Sequence, residues 1–197
     1  MLAPLVAHYT ATDLPSLLPL IQKNVKHNLP IPQRSKISIH DIDWVELHNT
    51  PTQLRHKIIT SCIASPRSPP DYISHERPND RRTAPSQPST AGGQRPIDLI
   101  MAVDCIYNPS LITPLLDTIN YLSAPNVQLH ADDAANVRTP RMVSPTVFVV
   151  LELRAVDVSR EFLHAWLEMS GGWEIWSIPL LGPRFAMWVG RRRDGSS

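Results

Sequence analysis

Residues 98–110, DLIMAVDCIYNPS, are the stretch of sequence that decides the fold. Leu99–Val103 is a continuous apolar run, and such a run between polar and turn residues is typical of a strand buried on both faces. Pro109 ends this segment, and Ser110 is a suitable N-cap for a following helix. Asp104 and Tyr107 therefore follow the carboxyl end of a central strand, which is where open α/β sheets bind their ligands.

The composition is that of an ordinary globular domain. The chain has 197 residues, which is the length of about one domain. Its net charge of +1 predicts no direct binding of nucleic acid, and the arginines at 191–193 are typical of a solvated chain end. No apolar run is long enough to span a bilayer, and the N-terminus lacks the features of a signal peptide. We therefore expect a monomer without a membrane partner, in the cytoplasm or the nucleus.

The cysteines and histidines indicate neither a disulfide scaffold nor a metal site. Cys62 and Cys105 are the two cysteines of the chain, too few for a disulfide framework. Cys105 borders the apolar strand and is more typical of a small apolar residue than of a catalytic thiol, because the sequence places no histidine to activate it. The eight histidines show no metal-ligand spacing.

The remaining pattern alternates strands and helices. Strands are predicted at residues 2–11, 36–40, 99–103, 146–153, 173–178 and 184–189. Helices are predicted at residues 14–28, 50–63, 111–122 and 157–169, the second of them weakly. This order predicts an α/β fold with a mostly parallel sheet, helices on both faces and a C-terminal antiparallel hairpin.

One long segment interrupts this pattern. Residues 65–96 contain seven of the 20 prolines of the chain and few apolar residues. Such a segment cannot bury enough apolar surface to offset its ordering entropy, so we predict a disordered insertion. We expect a single domain over residues 1–190 and a disordered tail over residues 191–197.

Two further polar positions follow predicted strands. Asp13 follows the first strand, where a carboxylate binds ribose hydroxyls in Rossmann-like sheets or caps the next helix. Asp43 and Trp44 follow the second strand, where the Trp44 ring stacks on a flat ligand or covers the edge of the core. The sequence leaves both pairs of alternatives open.

Residues 8–28, the Asp43–Trp44 pair, residues 98–116 and residues 147–154 together resemble methyltransferase family 16, the seven-stranded protein-lysine methyltransferases. Asp104 and Tyr107 resemble the Asp-x-x-Tyr signature that follows the fourth strand of this family. Within the family, AVDCIYNPSL and VLELR are most similar to the fungal ribosomal lysine methyltransferases.

The resemblance implies a Rossmann-like fold that binds S-adenosylmethionine and methylates a lysine of a protein substrate, with a ribosomal protein as the expected target. By similarity, Asp104 and Tyr107 would frame the target amine as the catalytic residues. The implied cofactor-binding residues are Asp13 at the ribose hydroxyls, Asp43 and Trp44 at the adenine, and Val103 beside the fourth strand.

The sequence departs from the family at its N-terminal end. The family has a first strand and a Gly-rich loop ahead of the segment that matches residues 2–13, and the printed sequence has neither. We therefore expect a truncated domain, in which each unpaired buried backbone group costs about 1–3 kcal/mol. Two alternatives stay open: an inactive remnant that acts as a binding module, and another Rossmann-like enzyme such as a dehydrogenase. The absence of a G-x-G-x-x-G motif counts against the dehydrogenase.

Overall fold

The fold is taken from a computed structural model. The structure describes residues 5–63, 97–124, 144–179, 182 and 184–193. The predicted insertion at residues 65–96 lies outside the described residues, as do residues 194–197 of the predicted tail.

The described chain contains six strands and six α-helices. The strands are β1 (Tyr9–Asp13), β2 (Ile37–Asp41), β3 (Leu99–Val103), β4 (Thr146–Glu152), β5 (Trp173–Ile178) and β6 (Phe185–Arg192). The helices are α1 (Leu18–Asn28), α2 (Ile31–Arg34), α3 (Trp44–Asn49), α4 (Thr52–Ile63), α5 (Ile112–Leu122) and α6 (Val156–Glu168). All six predicted strands are present, β3 and β5 with the predicted bounds and the other four with shifted bounds, whereas α2 and α3 were not predicted.

The strands form two separate hydrogen-bonded sheets. One is the parallel pair β1–β2, and the other has the order β3-β4-β6-β5. In the second sheet β3 and β4 are parallel, and β6 is antiparallel to both of its neighbours. The predicted mixed α/β fold with a C-terminal antiparallel hairpin is therefore confirmed. Among the described residues, no strand lies between β1 and β3, so each has a free edge.

The main core lies between the four-stranded sheet and the helices α5 and α6. Val147 and Val149 of β4 are fully buried, as are Phe162 and Trp166 of α6. Gly190 of β6 lies under the Trp166 ring, and a Cβ atom at this position would collide with that ring. The glycine therefore lets α6 approach the sheet closely enough to bury its aromatic residues.

Among the described residues, helices cover this sheet on one face only, and the prediction that β3 is buried on both faces was wrong. In β3, Ala102 is buried whereas Leu99, Met101 and Val103 are exposed. The residues of β4 alternate in the same way between buried and half-buried positions. The apolar runs indicated a second covering layer, but α5 and α6 both pack on the same face.

The boundaries of two predicted segments also differ from the structure. Helix α1 begins at Leu18 instead of residue 14 and has no buried residue, since its main contacts among the described elements are with β1 and β2. The prediction of a disordered tail was wrong for residues 191–193. Strand β6 extends to Arg192, and the Arg193 N–H donates to the Gly172 carbonyl at 2.8 Å.

Helices α3 and α5 connect the two sheets. His48 Nδ1 of α3 lies 2.5 Å from Asp117 Oδ2 of α5. Trp44, the first residue of α3, packs against the main core and against a smaller core formed by Ile42, Leu47, Ile59 and Cys62. The two sheets therefore share one packed unit. None of the described helices is both long and apolar enough to cross a membrane.

Candidate functional site

The carboxyl ends of three strands carry the acidic side chains of the candidate site. β1 ends at Asp13, which is in register with Asp41 at the end of β2. Asp104 directly follows β3. The Asp13 and Asp104 carboxylates both lie close enough to Cys105 to raise the pKa of its thiol. The carboxyl ends of β1 and β3 therefore lie near each other, on either side of Cys105.

A cleft of about 220 Å³ lies at the end of β2. Its lining residues are Pro15, Asp41, Ile42, Asp43, Glu46, Leu47 and Ile58. Ionised carboxylates only accept hydrogen bonds, so the three acidic residues of this cleft favour ligand groups that donate hydrogen bonds or carry positive charge. Ligand pockets have volumes of about 300 Å³ or more. The volume of this cleft is smaller, so it would enclose only part of a cofactor-sized molecule.

The structure places one of the predicted cofactor residues, Asp43, in this cleft. Asp43 also caps α3, since its Oδ1 accepts from the N–H groups of Val45 at 2.8 Å and Glu46 at 3.2 Å. Asp41 and Glu46 were missed by the sequence argument. An acidic residue at the end of β2, aligned with Asp13 at the end of β1, was the signal that could have identified Asp41.

The other predicted cofactor residues lie outside the cleft lining. Asp13 Oδ1 accepts from the N–H of Leu14 at 2.8 Å, so this carboxylate is partly used by the local turn. Trp44 is half-buried against both apolar cores, which is the arrangement of a residue that covers the core edge. Val103 is exposed at the end of β3.

Asp104 is held in a defined position by its backbone and by an arginine. Its φ of 53° lies in the left-handed region, and its N–H donates to the Val150 carbonyl at 2.7 Å. Arg154 Nη2 donates to Asp104 Oδ2 at 2.9 Å, and Arg154 Nε donates to Glu152 Oε2 at 2.9 Å. The hydrogen bond to Glu152 and the charge of Asp104 raise the pKa of Arg154, which therefore stays positively charged. The sequence argument missed this role of Arg154.

Tyr107 projects from the turn after Asp104. It is 66 % exposed, and its hydroxyl has no hydrogen-bond partner within the described part of the chain. Asn108 stabilises this turn, because its Oδ1 accepts from the N–H of Ser110 at 3.1 Å. The prediction of Ser110 as a helix N-cap was wrong, since Asn108 caps the 3-10 turn Pro109–Leu111 that precedes α5. The Tyr107 hydroxyl is thus available to a substrate.

Cys105 has the properties of a structural residue. Its Sγ donates to the Val103 carbonyl at 3.3 Å. Burial, the largest cause, raises the pKa of its thiol to about 11. A thiol that stays protonated at neutral pH is a poor nucleophile. This supports the sequence-based interpretation of Cys105 as a small apolar residue instead of a catalytic thiol. Within the described ranges, no group of acidic, histidine and cysteine side chains is arranged to hold a metal ion.

Residues 86–134 match the family model described as lysine methyltransferase. This segment is similar to lysine methyltransferases. It includes β3, Asp104, Tyr107 and α5, so the similarity falls on the Asp-x-x-Tyr turn and supports the family resemblance. The mixed α/β fold is compatible with a methyltransferase. No curated protein sequence matches the chain significantly.

Proposed function

We propose that this chain is an S-adenosylmethionine-dependent protein-lysine N-methyltransferase in which Asp104 and Tyr107 hold the target amine. The observation that carries the proposal is the Asp-x-x-Tyr turn, which lies in the segment that matches the lysine methyltransferase family. Both side chains of the turn are exposed at the carboxyl end of a parallel strand, the position at which α/β sheets bind ligands.

The acidic cleft would accept the hydrogen-bond donors of S-adenosylmethionine. This cofactor presents ribose hydroxyls and amino groups as hydrogen-bond donors, and its sulfonium carries a positive charge. Asp41, Asp43 and Glu46 would accept these donors. Asp13 is the proposed ribose ligand at the neighbouring strand end, and Trp44 and Val103 are the proposed apolar contacts. When bound, the cofactor supplies an activated methyl group.

Asp104 and Tyr107 would orient the lysine side chain and handle its proton. The amine must be neutral to gain a methyl group, although lysine in water has a pKa of about 10.4. A bound substrate that excludes water from this exposed turn would lower the pKa of the lysine and favour its neutral form. Arg154 occupies one oxygen of the Asp104 carboxylate, which leaves Oδ1 to accept a hydrogen bond from the amine. The Tyr107 hydroxyl adds a second contact that fixes the direction of the nitrogen lone pair.

We propose a ribosomal protein as the substrate and the cytoplasm or the nucleus as the location. This part of the proposal is supported by the similarity of AVDCIYNPSL and VLELR to fungal ribosomal lysine methyltransferases. Because the net charge is only +1, the substrate would be recognised through the protein and not through ribosomal RNA.

A methyl-transfer assay tests the proposal. The purified chain is incubated with S-adenosylmethionine carrying an isotopically labelled methyl group and with a mixture of ribosomal proteins. Mass spectrometry should locate the label on lysine. Asp104→Asn and Tyr107→Phe should each lower the rate at least about 100-fold, the order expected when a positioned proton-handling group is removed. Asp157→Asn, an exposed carboxylate on α6, is the matched control and should leave the rate unchanged. Labelling that both site variants retain would reject the proposal.

A second candidate function is a binding module that does not use the cofactor. The observation in its favour is that β1 and β3 each have an edge with no partner among the described strands. The described glycines Gly171, Gly172, Gly182 and Gly190 also lie outside the cleft lining. This candidate predicts a folded chain that binds no S-adenosylhomocysteine, whereas the methyltransferase binds it.

A further inference from the structure

The proposed function depends on a fixed Arg154 guanidinium, because Arg154 occupies Oδ2 of Asp104 and leaves Oδ1 to the target amine. Arg154 follows the end of β4, and its side chain is 61 % exposed. An exposed arginine keeps much of its rotamer freedom, and a single ion pair with a carboxylate restricts it only weakly. The contact with Asp104 therefore needs a second contact if the guanidinium is to stay in one place.

Glu152 supplies this second contact from a well-anchored part of the sheet. Its Oε2 accepts from Arg154 Nε at 2.9 Å. Glu152 is the last residue of β4, which lies between β3 and β6. On the β6 side, the N–H of Leu153 donates to the Arg184 carbonyl at 2.7 Å, and the Arg154 N–H itself donates to the Glu152 carbonyl at 2.9 Å. The Glu152 carboxylate is thus carried by a strand end whose backbone is hydrogen-bonded.

The guanidinium transmits the position of Glu152 to Asp104. The group is planar and rigid, and its Nε–H and Nη2–H bonds point from the same edge. Glu152 accepts from the first and Asp104 from the second, each at 2.9 Å. A carboxylate that holds Nε therefore also fixes the direction in which Nη2 donates. The hydrogen bond to Glu152 is the largest cause of the raised pKa of Arg154, ahead of the charge of Asp104, which supports Glu152 as the stronger partner.

We propose that Glu152 is a positioning residue that acts through Arg154 and keeps the Asp104 carboxylate turned towards the target amine. This inference rests on the proposed function and names a further residue on which its geometry depends. Glu152 has no part in the lining of the acidic cleft, so it acts on the lysine and not on the cofactor. The position is passed on from β4 to Glu152, from there to Arg154, and finally to Asp104.

Glu152→Ala and Glu152→Gln separate a positioning role from a role of the charge alone. Alanine removes the acceptor for Nε, so the kcat of lysine methylation should fall about tenfold, the loss expected when a reacting group is misplaced. Glutamine loses the charge but keeps an oxygen that accepts from Nε, and it should retain at least about half of kcat. The KM for S-adenosylmethionine should be unchanged in both. A Gln variant as slow as the Ala variant would overturn the proposal, because the charge and not the hydrogen bond would then matter.

A double variant tests whether Glu152 acts only through Arg154. Glu152→Ala combined with Arg154→Gln should lower kcat about tenfold, whereas independent effects would multiply to about 100-fold and would overturn the proposal. Glu174→Ala is the matched control. Glu174 Oε1 accepts from Arg193 Nε at 2.9 Å, so the same kind of ion pair is removed at the other end of the sheet, and kcat should not change.

Side-chain NMR of the full chain tests the positioning without any methyl transfer. The Arg154 Nε–H signal, assigned by its loss in Arg154→Gln, should exchange with solvent at least about tenfold faster in Glu152→Ala than in the wild type. The Hα–Hβ couplings of Asp104 should report one χ1 rotamer in the wild type and in Glu152→Gln, and averaged rotamers in Glu152→Ala.

Unchanged exchange and couplings in Glu152→Ala would overturn the proposal, as would a full kcat in this variant. A wild-type chain that transfers no methyl group would instead reject the proposed function. The NMR comparison would still decide whether Glu152 positions Asp104, so the two failures are distinguishable.

Discussion

At the scale of single residues, Arg154 is the group that fixes the Asp104 carboxylate. The two hydrogen bonds from Arg154, to Asp104 and Glu152, link the ends of β3 and β4. Arg154→Gln should lower the rate of lysine methylation about tenfold, because Asp104 keeps its charge but loses its fixed orientation. The affinity for S-adenosylhomocysteine should stay unchanged, since Arg154 does not line the acidic cleft.

Kinetic and calorimetric measurements on the same preparation separate these two effects. Arg184→Gln, which changes an exposed arginine outside this network, is the control variant. An Arg154→Gln enzyme with the full wild-type rate would show that Asp104 does not need this partner.

The Cys105 thiol makes stability depend on pH in the alkaline range. Burial raises its pKa from an ordinary 9.0 to about 11, so the folded chain keeps a proton that the unfolded chain loses. The resulting stabilisation is complete below pH 9 and is lost as the pH rises towards about 11. The free energy of unfolding of the wild type, relative to Cys105→Ala, should fall by at most about 2 kcal/mol across this range.

Denaturant unfolding of both proteins at several pH values measures this difference, and the comparison cancels the titration of tyrosines and lysines. Cys62, whose thiol pKa is also raised by burial, remains in both proteins. If the free energies of unfolding of the two proteins changed with pH in parallel, the Cys105 thiol would not be the cause of the pH dependence.

At the scale of secondary structure elements, the His48–Asp117 contact connects α3 to α5 and so connects the two sheets. A double-mutant cycle with His48→Ala and Asp117→Ala should give a coupling of about 1 kcal/mol in the free energy of unfolding, the size of a partly buried hydrogen bond. The pair His164–Glu168 within α6 is the matched control. It is largely exposed and should give about 0.3–0.5 kcal/mol. Equal couplings for both pairs would show that the α3–α5 contact contributes no special stability.

The elements also show what a sequence pattern can and cannot determine. The bounds of β3 and β5 were predicted correctly, because each apolar run ends at residues that disfavour strands. Helix α3 was missed because its first turn depends on the Asp43 side chain, which was considered as a ligand and not as a cap. Whether a strand is covered on one or both faces depends on helices distant in the sequence, so the exposure of Met101 and Val103 could not be predicted from the run itself.

At the scale of the whole molecule, the candidate site was predictable in part. The Asp104–Tyr107 turn was identified because its spacing is local and its strand is strongly apolar. The acidic cleft was identified through Asp43 alone, because the position of Asp41 and Glu46 around one cavity depends on how α3 packs over the end of β2. The contact of Arg154 with Asp104 spans fifty positions of sequence and depends on the pairing of β3 with β4.

Isothermal titration calorimetry with S-adenosylhomocysteine tests the central claim most directly, because cofactor binding is common to every methyltransferase account of this chain. We expect micromolar affinity for the wild-type chain, about tenfold weaker binding for Asp41→Asn, and no change for Asp157→Asn. No binding by a chain that still unfolds cooperatively would contradict the methyltransferase and favour the binding module.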